Sequence, residues 1–246
     1  MAVLGKCSLI TCLPPEWLPR KKCYFAERKP ELCKNMQHND NSILEKVPGA
    51  EKLLHSPCLK QIIDELNAHW QGEQQRRHDF WKDHPDNVKA EFVEGEILYH
   101  SPVKLRHQKV SQNLLKRLFQ LDPSGMVGYE KMMVRCQRND YEPDICFWDE
   151  ATAQQFTPDQ HIFPPPVFVA EILSESTEAR DQGVKYTDYA LHGVQEYWLV
   201  HPEENYIEQH LLNTRKQTFE LHLKLKAGTL SSVAIPGFSV QVEAIF

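Results

Sequence analysis

Two acidic residues of the sequence lie inside short apolar runs. Asp144 stands in YEPDICFW and Glu171 in VFVAEIL, both rich in the β-branched and aromatic residues of buried strands. A buried carboxylate is costly unless a partner compensates its charge. If the two strands are neighbours, the carboxylates converge on a hard cation such as Mg²⁺, with Mn²⁺ as the alternative. Such an ion polarises a phosphoryl oxygen and activates water, which is the equipment for phosphodiester hydrolysis.

Lys185 is the candidate for a third component of this site. A cation beside the attacking water would orient it and offset the charge that develops in the transition state. However, Asp181 stands four residues before Lys185, and the two are equally compatible with an ordinary helix ion pair. Spacing alone does not choose between these roles. It also leaves open that Asp144 and Glu171 are strand-end acids that face water.

The elements around these residues predict an α/β protein with a mixed sheet flanked by helices. VFVAEIL and VQEYWLV are typical of buried strands, and one helix is predicted between them, capped near Ser174 and ending at Gly193. MVGYEKMMVRC is predicted as a single strand. YIEQHLL, FELHLKLK and the end around FSVQVEAIF alternate as in an antiparallel meander.

Two amphipathic helices and a hairpin are predicted before this stretch. The first helix begins at Ser56-Pro57, and the hairpin turns at Glu94-Gly95. The apolar face of the first helix is predicted to hold Leu59, Ile62, Ile63, Leu66 and Trp70. That of the second is predicted to hold Val110, Leu114, Leu118 and Leu121. The second helix is also basic, and such a face is either merely solvated or suited to a phosphate backbone.

Composition excludes some classes of function. The net charge of −6 and the isoelectric point near 6.1 argue against a protein that coats nucleic acid by bulk positive charge. No apolar run approaches the roughly 20 residues that a membrane-spanning helix needs. The seven cysteines form no CxxC pair, which favours reduced thiols in a cytoplasmic protein over a zinc site. Residues 1–50 lack periodicity and are predicted to be a poorly ordered extension.

The segments EFVEGEILYHSPVKLRH, YEPDIC and VAEILSESTEARDQGVKYTDYALHGVQEYW together resemble the Uma-two family. This is a bacterial group of restriction-endonuclease-like proteins within the PD-(D/E)XK nuclease superfamily. The resemblance covers about residues 55 to 246. It implies a restriction-endonuclease-like mixed sheet flanked by helices in a nuclease-like domain over residues 51–246.

The resemblance also implies roles for individual residues. Pro143-Asp144 resembles the PD element and Glu171 the acid of the second strand, so both are expected to bind the metal. Leu173 stands where the usual E-x-K has its lysine. In this family the lysine is displaced into the following helix, which matches Lys185 and favours its role beside the attacking water.

Four further residues complete the expected site. Glu91 resembles the family's early acid and would assist the placement of metal or water. His107 resembles a histidine that follows that acid and, with Lys104 and Arg106, would contact DNA phosphate. The sequence departs from the family at Glu175, where proline is usual, and at His201, where aspartate is usual.

The function implied is a Mg²⁺-dependent endonuclease acting on DNA. The alternative is a module on a nuclease fold that binds nucleic acid or protein without cutting. Because nuclease-fold proteins that cut both strands often act as dimers, a homodimer is expected by analogy.

Overall fold

The computed structural model describes residues 47–83, 88–121 and 124–246. The extension predicted for residues 1–50 therefore lies, over residues 1–46, outside the described part. Contacts divide the chain into two units, Met1–Glu65 and Leu66–Phe246. Within the described residues, no helix is both long and apolar enough to cross a membrane.

Six α-helices occur in the described residues, together with a short 3₁₀ helix near the C-terminus. The first unit holds α1 and the start of α2, and the second unit holds the remainder. The helices are α1 (Ala50–Leu54), α2 (Leu59–Asp83), α3 (Leu105–Leu121), α4 (Glu150–Ala153), α5 (Glu178–Asp181), α6 (Val184–Leu191) and the 3₁₀ helix (Val242–Ala244).

The strands of the described residues form three sheets in the second unit. In chain order they are β1 (Ala90–Val93), β2 (Glu96–Tyr99), β3 (Gly125–Tyr129), β4 (Met133–Arg135), β5 (Asp140–Tyr141), β6 (Ile145–Asp149), β7 (Ile162–Phe163), β8 (Phe168–Ile172), β9 (Glu196–His201), β10 (Tyr206–Asn213), β11 (Thr218–Leu225), β12 (Thr229–Ser231) and β13 (Ser239–Gln241). A six-stranded sheet has the order β11-β10-β9-β8-β6-β3, a five-stranded sheet the order β2-β1-β5-β4-β7, and β12 pairs with β13.

The six-stranded sheet is mixed, as predicted. β8 and β9 run parallel, joined by α5 and α6, and the other neighbours in this sheet are antiparallel. The predicted meander is confirmed for β10 and β11, which pair antiparallel. Its third predicted strand is wrong, because β13 pairs with β12 in a separate sheet and the chain then turns into the 3₁₀ helix. The sheet thus combines one parallel crossover with antiparallel flanks, which is the expected α/β architecture.

The central strands of the six-stranded sheet, β6, β8 and β9, are buried on both faces. On one face Phe147 and Trp198 pack in a cluster with Leu114 of α3. On the other face Trp148 packs in a cluster with Tyr189 of α6. Because side chains alternate along a strand, successive residues of β6 serve opposite clusters. This explains why the central strands read as continuous apolar runs.

The predicted apolar face of α2 is wrong. Ile63, Leu66 and Trp70 are exposed, whereas the buried residues of this helix include Glu73 and Arg77. This part of the helix is buried through charged residues that pair with distant charged partners. The Arg77 guanidinium, for example, donates to both carboxylate oxygens of a buried aspartate at 2.6 and 2.7 Å. A hydrophobic pattern cannot reveal burial that depends on a distant partner.

Two predicted elements are divided in the structure. The strand predicted over residues 126–136 is split between β3 and β4, which belong to different sheets, and Glu130 adopts φ 57° between them. The helix predicted after Ser174 is split at Gln182-Gly183 into α5 and α6. A Cβ atom on Gly183 would lie 2.6 Å from the Ala179 carbonyl oxygen, so this close approach requires glycine.

Three further predictions concern the hairpin, the apolar face of α3 and the end of the helix after Ser174. The hairpin at Glu94-Gly95 is confirmed, and both turn residues have positive φ, as its type I′ geometry requires. Leu114 is buried on α3 as predicted, but Leu121 is 36% exposed at the end of that helix. The helix after Ser174 does end at Gly193, which adopts φ 81°.

Candidate active site

The two central acids meet where β6 and β8 pair. These strands are antiparallel, and Ile145 lies opposite Ala170. Extending this register by one residue places Asp144 opposite Glu171. The backbone N–H of Asp144 donates to Glu171 Oε2 at 3.1 Å. The two strands are therefore neighbours, which is the condition under which the two carboxylates can converge.

Glu171 points to the sheet face that α6 covers. Val169, two residues earlier on the same face, packs in a cluster with Tyr189 of α6. The Tyr189 hydroxyl donates to Glu171 Oε1 at 3.3 Å, and Lys185 Nζ donates to the same oxygen at 3.0 Å. The crossover helix thus carries its lysine back to the strand that precedes it.

Asp144 is held by cationic and backbone donors. Lys89 Nζ lies 2.9 Å from its Oδ1, while His107 Nε2 lies 3.1 Å from Oδ2. The N–H of Ile172 also donates to Oδ2, at 3.0 Å. Burial alone would raise the pKa of Asp144, but Lys89, His107 and the Ile172 N–H outweigh it and hold the pKa well below its usual range. Asp144 is therefore ionised at neutral pH.

Lys185 is enclosed by three carboxylates. Its Nζ lies 2.9 Å from Glu91 Oε1, 3.0 Å from Glu171 Oε1 and 3.2 Å from Asp181 Oδ1. Only 3% of its side chain is exposed. Burial lowers a lysine pKa, but these carboxylates raise that of Lys185 well above its ordinary value. The structure thus combines both contacts that the sequence left open, the helix pair with Asp181 and the approach to Glu171.

One ammonium group cannot neutralise three carboxylates. Glu91 has a second basic neighbour, because His100 Nε2 lies 3.2 Å from its Oε2. Burial opposes its charge, but Lys185 and His100 outweigh burial and lower the pKa of Glu91 to about 2. Burial dominates at Glu171 despite Lys185, and the charges of Asp181 and Asp144 reinforce it, raising the pKa of Glu171 to about 8. Glu91 is therefore ionised and Glu171 holds a proton at neutral pH.

Strand β1 brings both a basic and an acidic residue to the site. Lys89 directly precedes β1 and Glu91 lies within it, so the two side chains fall on one face of an extended segment. The N–H of Glu142, on the neighbouring segment, donates to Glu91 Oε1 at 3.0 Å. Glu91 was expected at the site from the sequence, whereas Lys89 and His100 were not. The spacing of two residues between Lys89 and Glu91 is the signal that could have identified the lysine.

Comparison with known proteins identifies the family of the chain. The model of the Uma2 family, described as "putative restriction endonuclease", matches residues 73–243. The chain belongs to the Uma2 family. This confirms the resemblance that the sequence motifs indicated. None of the curated proteins compared with this Uma2 chain matches it.

A solved structure shares the Uma2 fold. It is described as a putative nuclease belonging to DUF820 from Anabaena variabilis ATCC 29413. The two chains superimpose with a TM-score of 0.57 at 15% identity, over 68% of this chain and 94% of the other. The likeness shows the nuclease fold predicted from the sequence.

Two of the predicted phosphate-binding residues of this Uma2 protein pair with acids other than Asp144 and Glu171. Lys104 Nζ is 3.6 Å from Glu175, and Arg106 is 3.0 Å from Glu203. More than half of each basic side chain is exposed. His107, in contrast, contacts Asp144 directly. The first departure from the family, Glu175, is thus an exposed partner of Lys104 and contacts none of the central acids.

Asp144 and Glu171 suit a divalent cation by their chemistry. They are neighbouring oxygen donors on adjacent strands, and Mg²⁺ is often bound through one or two carboxylates while it keeps several waters. Asp144 is already ionised, whereas Glu171 would release its proton when a cation binds. The sequence prediction of these two ligands is therefore compatible with the geometry.

A second group of ligand types lies apart from these acids. Within the described residues, Cys136, Asp188 and His192 place their ligand atoms within 4.8 Å of one another. Both ring nitrogens of His192 are engaged, since Nε2 accepts from the Gln137 N–H at 2.8 Å and Nδ1 lies 3.1 Å from Asp188. Asp188 also accepts from the Tyr141 hydroxyl at 2.9 Å, and burial raises the pKa of the Cys136 thiol. This group is a hydrogen-bond network that joins α6 to β5.

Proposed function

We propose that the chain is a Mg²⁺-dependent endonuclease that hydrolyses phosphodiester bonds of DNA. The observation that carries this proposal is the pairing of Asp144 with Glu171 across β6 and β8, beside a buried lysine. Membership of the Uma2 family supports the same class of activity.

Asp144 and Glu171 would hold the metal. The bound ion, Mg²⁺ or Mn²⁺, supplies polarisation of the phosphoryl oxygen and a more acidic water. Asp144 is positioned for this role by the Ile172 N–H, which fixes one carboxylate oxygen at 3.0 Å. The tyrosine hydroxyl of Tyr189 and the ammonium of Lys185 orient Glu171 in the same way. The protein therefore presents both acids in a fixed geometry.

The other predicted site residues would act around this pair. Glu91 contacts Lys185 at 2.9 Å, so it assists the site by holding that lysine against Glu171. His107 lies beside Asp144 and is only 12% exposed, where a phosphate oxygen approaching Asp144 would meet it. The role of Lys185 beside the attacking water stays a prediction, as do the phosphate contacts of Lys104 and Arg106. A cytoplasmic homodimer stays a prediction as well.

Plasmid nicking tests this proposal. Supercoiled plasmid is incubated with the parent protein, with Asp144→Asn and with Asp159→Asn, in Mg²⁺ and separately in Mn²⁺. Asp159 is exposed and serves as the matched control. We expect the parent and the control to nick the plasmid and Asp144→Asn to lose at least about 100-fold in rate, since one of two metal ligands is removed. A parent protein that binds DNA but leaves it intact with both ions would support the non-cleaving module instead.

A further inference from the structure

The acids Glu91, Asp144, Glu171 and Asp181 form an acidic cluster. Two lysines contact it, and their surroundings differ. Lys185 is 3% exposed and has three carboxylate oxygens within 3.2 Å of Nζ. Lys185 Nζ donates a hydrogen bond to Glu171 Oε1. Because only 3% of its side chain is exposed, Lys185 offers almost no surface to a substrate.

Lys89 lies at the open edge of the same cluster. Its side chain is 23% exposed, and the described residues give it one carboxylate partner, Asp144, at 2.9 Å. It retains donors that a single carboxylate oxygen does not use. Its flexible four-carbon stem also lets the ammonium group move between neighbouring anions.

The position of Lys89 relative to the acids favours a substrate contact. Lys89 and Glu91 lie on one face of the β1 segment, and Glu91 is fully buried against Lys185. The strand thus places its acid inside the cluster and its lysine toward solvent beside Asp144. A DNA phosphate that approaches Asp144 meets a negative carboxylate, and a cation at this edge would offset the repulsion.

We propose that Lys89 is the cation that contacts the DNA phosphate. Lys185 is then a buried counter-ion that keeps Glu91, Glu171 and Asp181 together, and this role replaces the one beside the attacking water that the resemblance implied. This inference rests on the proposed function, because it assigns a residue to the substrate of that site. It adds to the expected site a residue that none of the sequence motifs contained.

The test measures how DNA binding depends on salt. Affinity for a short fluorescein-labelled DNA duplex is measured by anisotropy in Ca²⁺ between about 50 and 200 mM NaCl. The proteins are the parent, Lys89→Met, Lys89→Arg, Lys185→Met and Lys216→Met. Lys216 is exposed and pairs with Glu220, so it is the matched lysine control. Thermal unfolding and plasmid nicking are recorded for each protein.

We expect Lys89→Met to reduce the slope of log K against log[salt] by about 1, the loss of one phosphate contact. Its unfolding midpoint should stay within a few degrees of the parent, and Lys89→Arg should restore the slope. Lys185→Met should unfold at a much lower temperature, because three carboxylates lose their shared cation. Where it still folds, its slope should equal that of the parent. Lys216→Met should match the parent throughout.

Two outcomes overturn the inference. In the first, the parent binds and nicks DNA while Lys89→Met has the same salt slope and nicking rate, which refutes the role of Lys89 alone. In the second, Lys89→Met unfolds as readily as Lys185→Met, which makes Lys89 a structural residue. A parent that neither binds the duplex nor nicks plasmid refutes the proposed function and this inference together.

Discussion

Asp144 lies directly opposite Glu171 across the β6–β8 pair, and the backbone N–H of the first donates to the carboxylate of the second at 3.1 Å. The pKa values of the two acids are nevertheless shifted in opposite directions. The pKa of Asp144 is held low by Lys89 and His107, while burial raises that of Glu171 to about 8. One acid is therefore charged and its neighbour protonated at neutral pH, and the first prediction below depends on this difference.

Glu171→Gln should stabilise the protein at high pH when divalent ions are chelated. The pKa of Glu171 is about 8 in the folded protein, above the ordinary value of 4.5. The folded state thus keeps a proton that the unfolded state releases, and stability falls as pH rises from about 4.5 to 8. The neutral amide removes this cost. Urea denaturation in EDTA at pH 5 and pH 9 measures it, and a variant less stable than the parent at pH 9 would contradict the assignment.

Glu91→Gln should have the opposite effect. The pKa of Glu91 is about 2 in the folded protein, below the ordinary value of 4.5. Its charge therefore stabilises the fold above pH 4.5, and this contribution is lost as pH falls toward 2. At 1.36 kcal/mol per pKa unit, the variant should lose about 3 kcal/mol at pH 7. Denaturation at pH 7 and pH 3 tests this, because the difference from the parent should shrink at pH 3. A constant difference would show that packing, not charge, is responsible.

Glu196→Gln should destabilise the fold without involving the candidate active site. The carboxylate of Glu196 is fully buried and accepts hydrogen bonds from five donors. The donors are Trp198 Nε1, Gln209 Nε2, Ser232 Oγ and the N–H groups of Val233 and Ala234. An amide at this position turns one acceptor into a donor that faces other donors, at a cost of about 3 kcal/mol.

The unfolding midpoint of Glu196→Gln is to be compared with that of Glu204→Gln, an exposed acid. The control should unfold with the parent. A variant at Glu196 that also unfolds with the parent would show that the five donors find other partners.

The sequence predicted the central strands and acids because their signals are local. The apolar runs around Asp144 and Glu171 indicate buried strands whatever surrounds them, and a carboxylate in such a run stands out from the sequence alone. The turn at Glu94-Gly95 was likewise recognisable from its glycine, which adopts φ 90°. The pairing of β6 with β8 remained a condition at that stage, and the structure supplies it.

The features that the sequence did not reveal depend on contacts between residues far apart in the chain. Arg77 is buried because Asp140, 63 positions later, accepts its hydrogen bonds, and no helical pattern shows this. Lys89 reaches Asp144 across 55 positions. From the local sequence alone, Lys89 cannot be distinguished from an ordinary residue at the start of a strand. The break at Gly183 also escaped the pattern, since it arises from a close approach to Ala179.

The most direct measurement is a calorimetric titration of Mn²⁺ into the parent protein and into Asp144→Asn, with Asp159→Asn as the control. We expect saturable Mn²⁺ binding in the parent and in the control, and loss of that binding in Asp144→Asn. Equal binding in the parent and in Asp144→Asn, or no binding in the parent, would contradict the claim that Asp144 and Glu171 hold the catalytic metal.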